Sequence, residues 1–338
     1  MRRGGRGVIR RLTLALGPGS YPYPNFGMEE YLLYHVEEEE CILYLWQNEK
    51  TVVIGRNQNA WKECRREELE AAGGHLVRRL SGGGAVFHDL GNLNFTFITR
   101  KDNYDVTKQT EVILRAAGKL GVNAERTGRN DITVDGRKFS GNAYYETGDF
   151  CYHHGTILLS VDKEEMACYL NVSREKLRSK SVDSVKSRVA NLIEYVPDLT
   201  VRRMRDSLEE SFGEVYGLPA DPFPPERLCE NEVRERTERF ASWEWKYGRK
   251  IPFSDEAAAR FTWGEAQVLV HVEEGRVQEG KIWSDALDTD FIKAAEDILT
   301  GMIWNRKAAA DRFAVLSCGT PVQEAMRKDL QDLVCDMM

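Results

Sequence analysis

Nowhere does this 338-residue chain hold the roughly 20 consecutive apolar residues that a membrane-spanning helix requires. The stretch "TLALG" near the start is too short for the core of a secretory signal. Paired cysteines are missing as well. Seven cysteines stand singly at 41, 64, 151, 168, 229, 318 and 335, an odd number without a CxxC spacing. Neither a zinc site nor a disulfide framework is indicated, and a reducing, cytoplasmic setting is expected. Basic charge is not in excess: a net charge of −7 argues against general nucleic-acid binding and leaves room only for local basic patches. No internal repeat or low-complexity tract interrupts the chain.

What is present is a globular composition, 42% hydrophobic and 10% aromatic, long enough for one large domain or two ordinary ones. The N-terminal "MRRGGRGVIRR" holds five arginines but lacks the serines and amphipathic length of a transit peptide. It is expected to be a solvated tail, or extra residues ahead of the true start.

Helix and strand signals alternate along the first half. "NFGMEEYLLYHV" places Phe26, Met28, Tyr31, Leu32 and His35 at helical spacing, with Asn25 as N-cap. "CILYLW" and "TVVIG" read as strands around the turn "QNEK", and "AWKECRREELEAAGG" as a charged helix closed by Gly73 and Gly74. "HLVRRL", "GAVFHD" and "LNFTFI" are short strands, and a helix is expected over about 105–120. Asp135-Gly136 in "DITVDGRKFSG" signals a hairpin, followed by the strand "HHGTILLS". Four of the ten prolines fall within 219–225, at a domain boundary or in a loop between helices at about 201–215 and 226–240. A second hairpin, "EAQVLVHVEEGRVQEGKIWSD", precedes two helical segments. The expectation is an α+β protein: a mixed α+β catalytic domain over 1–245 and a small α+β accessory domain over 246–338.

The chemistry centres on "RRLSGGGAVFHD". A glycine-rich turn between strands is common for purely structural reasons. This one is no P-loop, since GxxxxGK[ST] is absent, and no GxGxxG opening a helix, since a strand follows. Its company changes the reading. Arg78 and Arg79 precede it, and "GRNDI" with "GRKFSGNA" follows some 50 residues on. Exposed backbone N–H groups beside arginine and lysine make an anion cradle, which suits a phosphate ester. Lys138 follows a tight turn and precedes Ser140-Gly141, so its ammonium could be fixed against such a ligand. Asn130 and Asp131 are turn residues or oxygen ligands for Mg²⁺. His153 and His154 point to opposite strand faces, which makes them poor joint metal ligands and better structural histidines. The run Arg174, Lys176, Arg178, Lys180, Lys186 and Arg188 is a solvated helix face or a loop that closes over a nucleotide.

Taken together, "RRLSGGGAVFHDLGNLNFTF", "NDITVDGRKFSGNAYY", "HHGTILL" and "SVKSRVANL" resemble the lipoate–protein ligases, in the order and spacing of that family. The resemblance starts at "NFGMEEYLL", runs to about residue 200, and continues more weakly through "WEWKYGRKIPF". It implies the fold shared with biotin ligases: mixed sheets flanked by helices, then a small accessory domain. It also implies a two-step reaction. The carboxylate of (R)-lipoate attacks the α-phosphate of ATP, giving lipoyl-AMP and pyrophosphate. The ε-amine of a lysine on an apo lipoyl domain then displaces AMP. The acceptors implied are 2-oxoacid dehydrogenase acyltransferase subunits or a glycine-cleavage H protein, with no nucleic acid or membrane involved and a monomeric enzyme expected.

Under this resemblance Arg79, Lys138 and Mg²⁺ screen the two anions that must meet, with Lys138 as the catalytic residue touching α-phosphate and acyl carbonyl. Gly82, Gly83, Gly84, Ala85, Val86 and Phe87 line adenylate and acyl chain. Asn130 and Asp131 hold metal or phosphate, with Asp131 the Mg²⁺ ligand. Ser81, Asn92, Ser140, Gly141, His154, Gly155 and Thr156 complete the substrate- and ATP-binding set. Lys180 belongs to the segment that folds over the adenylate and keeps water out. No residue stands out as general base for the acceptor lysine, and proximity can suffice.

Octanoyl and lipoyl transferases share this fold and lysine motif but use a cysteine thioester in place of ATP. The loop "GVNAERTGRNDI" and the segment "YLNVSREKL" contain no cysteine, although Cys168 lies close to the second. Cys151 sits just before the two histidines, where a thiol could be activated, but a partly buried cysteine at a strand edge is the expected role. The accessory domain favours the ligase, because such transferases generally lack one.

Overall fold

The computed structural model describes residues 7–128, 130–171, 189–248 and 253–338. The basic run from Arg174 to Arg188, with Lys180, lies outside the described residues, as do residues 1–6 of the arginine-rich start. The chain forms two compact units. One comprises Met1–Val53, Cys64–Val77 and Val86–Trp245; the other comprises Ile54–Glu63, Arg78–Ala85 and Lys246–Met338. The glycine turn therefore belongs to the same unit as the C-terminal part of the chain.

In the first unit, β1 (Arg11–Leu16), β2 (Glu40–Trp46), β6 (Asn92–Arg100), β7 (Ala124–Thr127), β8 (Asp131–Val134), β9 (Arg137–Thr147), β10 (Phe150–Leu158) and β11 (Ala220–Pro222) form one eight-stranded sheet in the order β11-β1-β2-β6-β10-β9-β8-β7. Only β11-β1 and β1-β2 are parallel, so the sheet is mixed. Leu43, Leu45, Leu93, Phe95 and Phe97 point to one face and pack with Ile113, Ala116, Leu208 and Phe212 of α4 (Val106–Lys119) and α6 (Val201–Tyr216). This apolar face is the back. On the front face lies α1 (Pro22–His35), which also packs on α7 (Glu230–Ala241). Gly27 permits that approach: a methyl there would come within 2.5 Å of the Thr237 hydroxyl. A second sheet, β4-β3-β5, is made by β3 (Thr51–Ile54), β4 (His75–Arg78) and β5 (Val86–His88).

Several local expectations are corrected. α1 starts at Pro22 with Tyr21 as N-cap; Asn25 lies inside the helix, buried, and ties it to Gly19, Gln47 and Asn48. The strands flanking "QNEK" do not pair with each other but enter different sheets. The charged helix is broken into α2 (Ala60–Glu63) and α3 (Arg66–Ala71). The proline-rich stretch carries β11, an edge strand where Pro222 costs no ladder bond that the sheet needs. A buried ion pair anchors it: Arg227 donates to both Glu40 oxygens at 2.7 and 2.9 Å.

The second unit is an antiparallel meander of β12 (Asp255–Phe261), β13 (Gly264–Glu273) and β14 (Arg276–Ser284), covered by α9 (Thr289–Asp297), α10 (Arg306–Ala314) and α11 (Pro321–Cys335). Three helices stand where two were expected. Both hairpins signalled by the sequence turn through paired positive φ angles, Asp135-Gly136 (49° and 72°) and Glu274-Gly275 (48° and 73°), the signature of a type I′ turn.

Candidate active site

Lys138 stands near the start of β9, just past the Asp135-Gly136 turn. Its position depends on a bulge. Asp131 pairs with Gly141 and Ile132 with Ser140, but Thr133 pairs with Lys138, leaving Phe139 as the extra residue. Strict alternation would put Lys138 and Gly141 on opposite faces. The bulge puts both on the front, while Phe139 and Ser140 turn inward and are fully buried. The Lys138 ammonium lies 2.7 Å from the Asp131 carboxylate, an ion pair off the line of a hydrogen bond, with both side chains about one-third exposed. A methyl group on Gly141 would come within 2.9 Å of Lys138 Nζ, so the ammonium rests over the bare glycine.

From there a row of front-face residues crosses the sheet. Gly141 N–H lies 3.4 Å from Thr156 Oγ1, Thr156 pairs with Asn94, and Asn94 pairs with Trp46. Gly155 is required beside it, since a methyl there would stand 2.5 Å from Gly141 O. The adjacent row is closed by α1. Glu29, 1% exposed, accepts from Thr96 Oγ1 at 2.7 Å and meets His154 Nδ1 at 2.8 Å, while Trp46 Nε1 donates to Thr96 Oγ1 at 3.2 Å. This chain fixes the Trp46 indole on the front face.

Behind the sheet a second polar chain holds the turn that presents Asp131. His153 Nε2 meets Asn142 Oδ1 at 2.8 Å, and Nδ1 faces the Gln109 side-chain amide at 3.2 Å. Asn142 and Asn130 in turn bond each other's backbone, through Asn142 N–H to Asn130 O at 2.9 Å and Asn130 Nδ2 to Asn142 O at 3.1 Å. Both facing atoms are amide oxygens, Asn142 Oδ1 and Gln109 Oε1, and a neutral imidazole has one N–H to give them. Burial, with lesser contributions from His154 and Arg126, pulls the His153 imidazole down to about 3 and keeps it neutral. His153 is thus a structural histidine, as its sequence context suggested, and Ser140 turns toward Asn142 Nδ2 at 3.5 Å.

In the second unit each glycine of the triplet has its own cause. A methyl on Gly82 would stand 2.2 Å from Ala286 O, and Gly83 has φ +93° and donates to that same carbonyl at 3.3 Å. Gly84 is different: nothing lies within 4 Å of its missing methyl. Neither packing nor a positive φ requires glycine there. Arg79 is 6% exposed and donates to Ser81 Oγ, Gly82 O and Gly84 O at 2.7–3.2 Å, so its guanidinium shapes the loop. Arg78 donates to the carbonyls of Gly55, Arg56, Gln58 and Lys246, and burial lowers its pKa to about 9, which leaves it charged at neutral pH.

Of the residues anticipated from sequence, Lys138, Asp131, Gly141, His154, Gly155 and Thr156 gather on β8, β9 and β10, with Asn130 in the turn before β8 and Asn92 at the start of β6. Val86 and Phe87 lie on β5, where Phe87 is buried against Tyr169, and Arg79 to Ala85 belong to the glycine loop. Lys180 lies outside the described residues. Glu29, Trp46, Asn94, Thr96, Gln109 and Asn142 were not anticipated. One signal was available: Asn92, Asn94 and Thr96 alternate with Leu93, Phe95 and Phe97, and β6 is buried on both faces, so its polar half needed internal partners. Cys151 is not at a strand edge. It is wholly buried on β10, between β6 and β9, and burial pushes its thiol up to about 12.

No group of three or more His, Cys, Asp or Glu side chains gathers for a metal among the described residues. No helix of the described residues is long and apolar enough to cross a membrane.

Residues 21–213 match the model of the lipoyl protein ligase A/B catalytic domain, and residues 250–334 that of the bacterial lipoate protein ligase C-terminus. Among solved structures the chain is similar to LipL1 of P. falciparum in complex with lipoate, at 26% identity and a TM-score of 0.83, covering 96% of this chain and 99% of that one. It is similar to the bi-partite lipoate protein ligase of Thermoplasma acidophilum, described together with its E2 lipoyl domain, at 28% identity, TM-score 0.63, and coverage of 72% and 99%. It is also similar to a lipoate-protein ligase A bound with ATP, at 25% identity, TM-score 0.62, and coverage of 71% and 99%.

Proposed function

The chain belongs to the lipoyl protein ligase A/B family, and on that premise we propose that it is an ATP-dependent lipoate–protein ligase. It joins lipoate to AMP and passes the lipoyl group to a lysine of an apo lipoyl domain. The observation that carries this reading is Lys138: a partly exposed ammonium brought by a bulge onto the same face as Gly141, beside Asp131 and at the end of a row leading to Trp46. A carboxylate and an α-phosphate repel, and a fixed cation that contacts both as charge shifts between them lowers that barrier. The front-face row gives an acyl chain a bed from Lys138 toward Trp46. Within the second unit, Gly84 has open space where a side chain would stand, which suits a phosphate lying against that loop.

Mg²⁺ would reach the site with ATP. Asp131 would be the protein's share of its ligands, and phosphate oxygens and water would supply the rest. When bound, the ion neutralises phosphate charge; Asp131 would then trade its contact with Lys138 for the metal and free the ammonium for substrate. The ATP bound to one relative, the lipoate bound to another and the E2 lipoyl domain of a third support the corresponding substrate, nucleotide and acceptor roles.

The rival reading, transfer through a cysteine thioester, loses Cys151. A thiol titrating near 12 in a sheet interior offers almost no thiolate at neutral pH. The match to a ligase C-terminal domain also favours the ligase. The test is intact mass of an apo lipoyl-domain protein incubated with this enzyme, lipoate and Mg²⁺, with and without ATP.

A further inference from the structure

The front face carries a polar pair that its own hydrogen bonds leave unfinished. Asn92 Nδ2 donates to Asn94 Oδ1 at 2.8 Å, and both side chains are buried, 0% and 1% exposed. Among the described residues, neither Asn92 Oδ1 nor Asn94 Nδ2 has a partner. In this arrangement the open N–H belongs to Asn94 and the open carbonyl to Asn92. A buried orphan of this kind is a standing penalty unless something fills it.

Its place points to what does. Asn94 sits in the cross-strand row between Trp46 and Thr156, and Thr156 in turn meets Gly141, over which Lys138 Nζ rests. Neighbouring strands are about 4.8 Å apart, so Asn94 lies two strands, roughly 10 Å, from Gly141. An extended eight-carbon acid with its carboxyl at Lys138 has its far end over Asn94, against Trp46. A plain alkyl end covers the open amide and leaves it unsatisfied. A dithiolane end brings sulfur, a weak acceptor, to the N–H.

We propose that Asn94 is a specificity-determining residue: its amide meets the far end of the acyl substrate and favours lipoate, whose ring sulfur accepts a hydrogen bond, over the plain eight-carbon acid. The inference rests on the ligase reading for its substrate class. Burying one donor without an acceptor is worth about a ten-fold discrimination.

The test uses the full chain and Asn94→Leu, which keeps the volume and removes the amide. Pyrophosphate release with lipoate and with octanoate gives kcat/KM for each. The native protein should favour lipoate by about ten-fold, and Asn94→Leu should bring the ratio close to one, chiefly by improving octanoate. Turnover of both acids with an unchanged ratio overturns the inference and makes Asn94 a packing residue or the holder of an ordered water. Should Asn94→Leu not fold, calorimetric binding of the two acids to the native chain decides, and equal affinities overturn it. Absence of pyrophosphate release with either acid overturns the ligase reading instead, and the same binding comparison still judges Asn94.

Discussion

The ammonium of Lys138 and the carboxylate of Asp131 lie 2.7 Å apart on adjacent strands. Lys138→Ala should cost 10²–10³ in the rate of adenylation, about the loss from removing one transition-state donor. Asp131→Asn keeps the shape, frees the lysine and removes the carboxylate proposed to hold Mg²⁺, so it should raise the Mg²⁺ concentration needed for half-maximal rate. Pyrophosphate release across a Mg²⁺ titration checks both; near-normal turnover of Lys138→Ala would remove the lysine from the mechanism.

Gly141→Ala probes the same lysine from beneath. The new methyl would stand 2.9 Å from both Cε and Nζ, the movable end of a flexible chain, so the fold should survive while the ammonium is displaced. A fall of kcat by about ten-fold or more with a melting temperature within a few degrees is expected, since misplacing a reactive group by about 1 Å costs up to 10².

The glycine triplet separates into two behaviours. Gly82→Ala forces a methyl to 2.2 Å from Ala286 O and should destabilise the protein. Gly84→Ala meets nothing within 4 Å, so it should melt like the native chain while its KM for ATP rises. Unchanged nucleotide affinity in Gly84→Ala would show that the loop is not a phosphate cradle.

Acid should unfold the protein in two overlapping stages. His153 is lowered to about 3 against an ordinary 6.5, so the unfolded chain binds the proton first and stability falls as pH drops from about 6.5 toward 3. Burial alone would raise Glu40, but hydrogen bonds from Arg227, the Glu37 N–H and Thr13, with the charge of Arg227, outweigh it and hold the carboxyl at about 2. That contribution is whole above about 4.5 and is lost on the way down to 2. Arg227→Ala should destabilise the protein at neutral pH by less than the roughly 3–5 kcal/mol of a wholly unpaired buried carboxylate, because Arg11 Nε still lies 3.3 Å from Glu40. It should also raise the midpoint of acid unfolding, measured by circular dichroism.

Cys151→Ser should retain ATP-dependent lipoylation, since the thiol is buried and titrates near 12. Loss of acylation with an intact fold would restore the thioester route.

Local chemistry explains which features were legible in the sequence. Asp135-Gly136 and the glycine after Glu274 announce their hairpins because few residues adopt positive φ, and Lys138 could be singled out by standing next to one. The bulge at Phe139 could not be read, because an apolar residue in a strand looks the same bulged or regular. The sequence set Lys138 before Ser140-Gly141 without telling which of the two shares its face; the bulge puts it with Gly141. β11 was hidden by Pro219 and Pro222, which an edge strand tolerates and a periodicity argument does not. Glu29 was hidden on a helix whose charges look solvated until His154 and Thr96, 125 and 67 residues away in sequence, fold onto it.

The most direct test of the central claim is the intact mass of a purified apo lipoyl-domain protein after incubation with this enzyme, lipoate and Mg²⁺. A gain of one lipoyl unit only when ATP is present is the predicted result. Transfer from an acylated carrier protein without ATP, and none from free lipoate with it, would contradict the account.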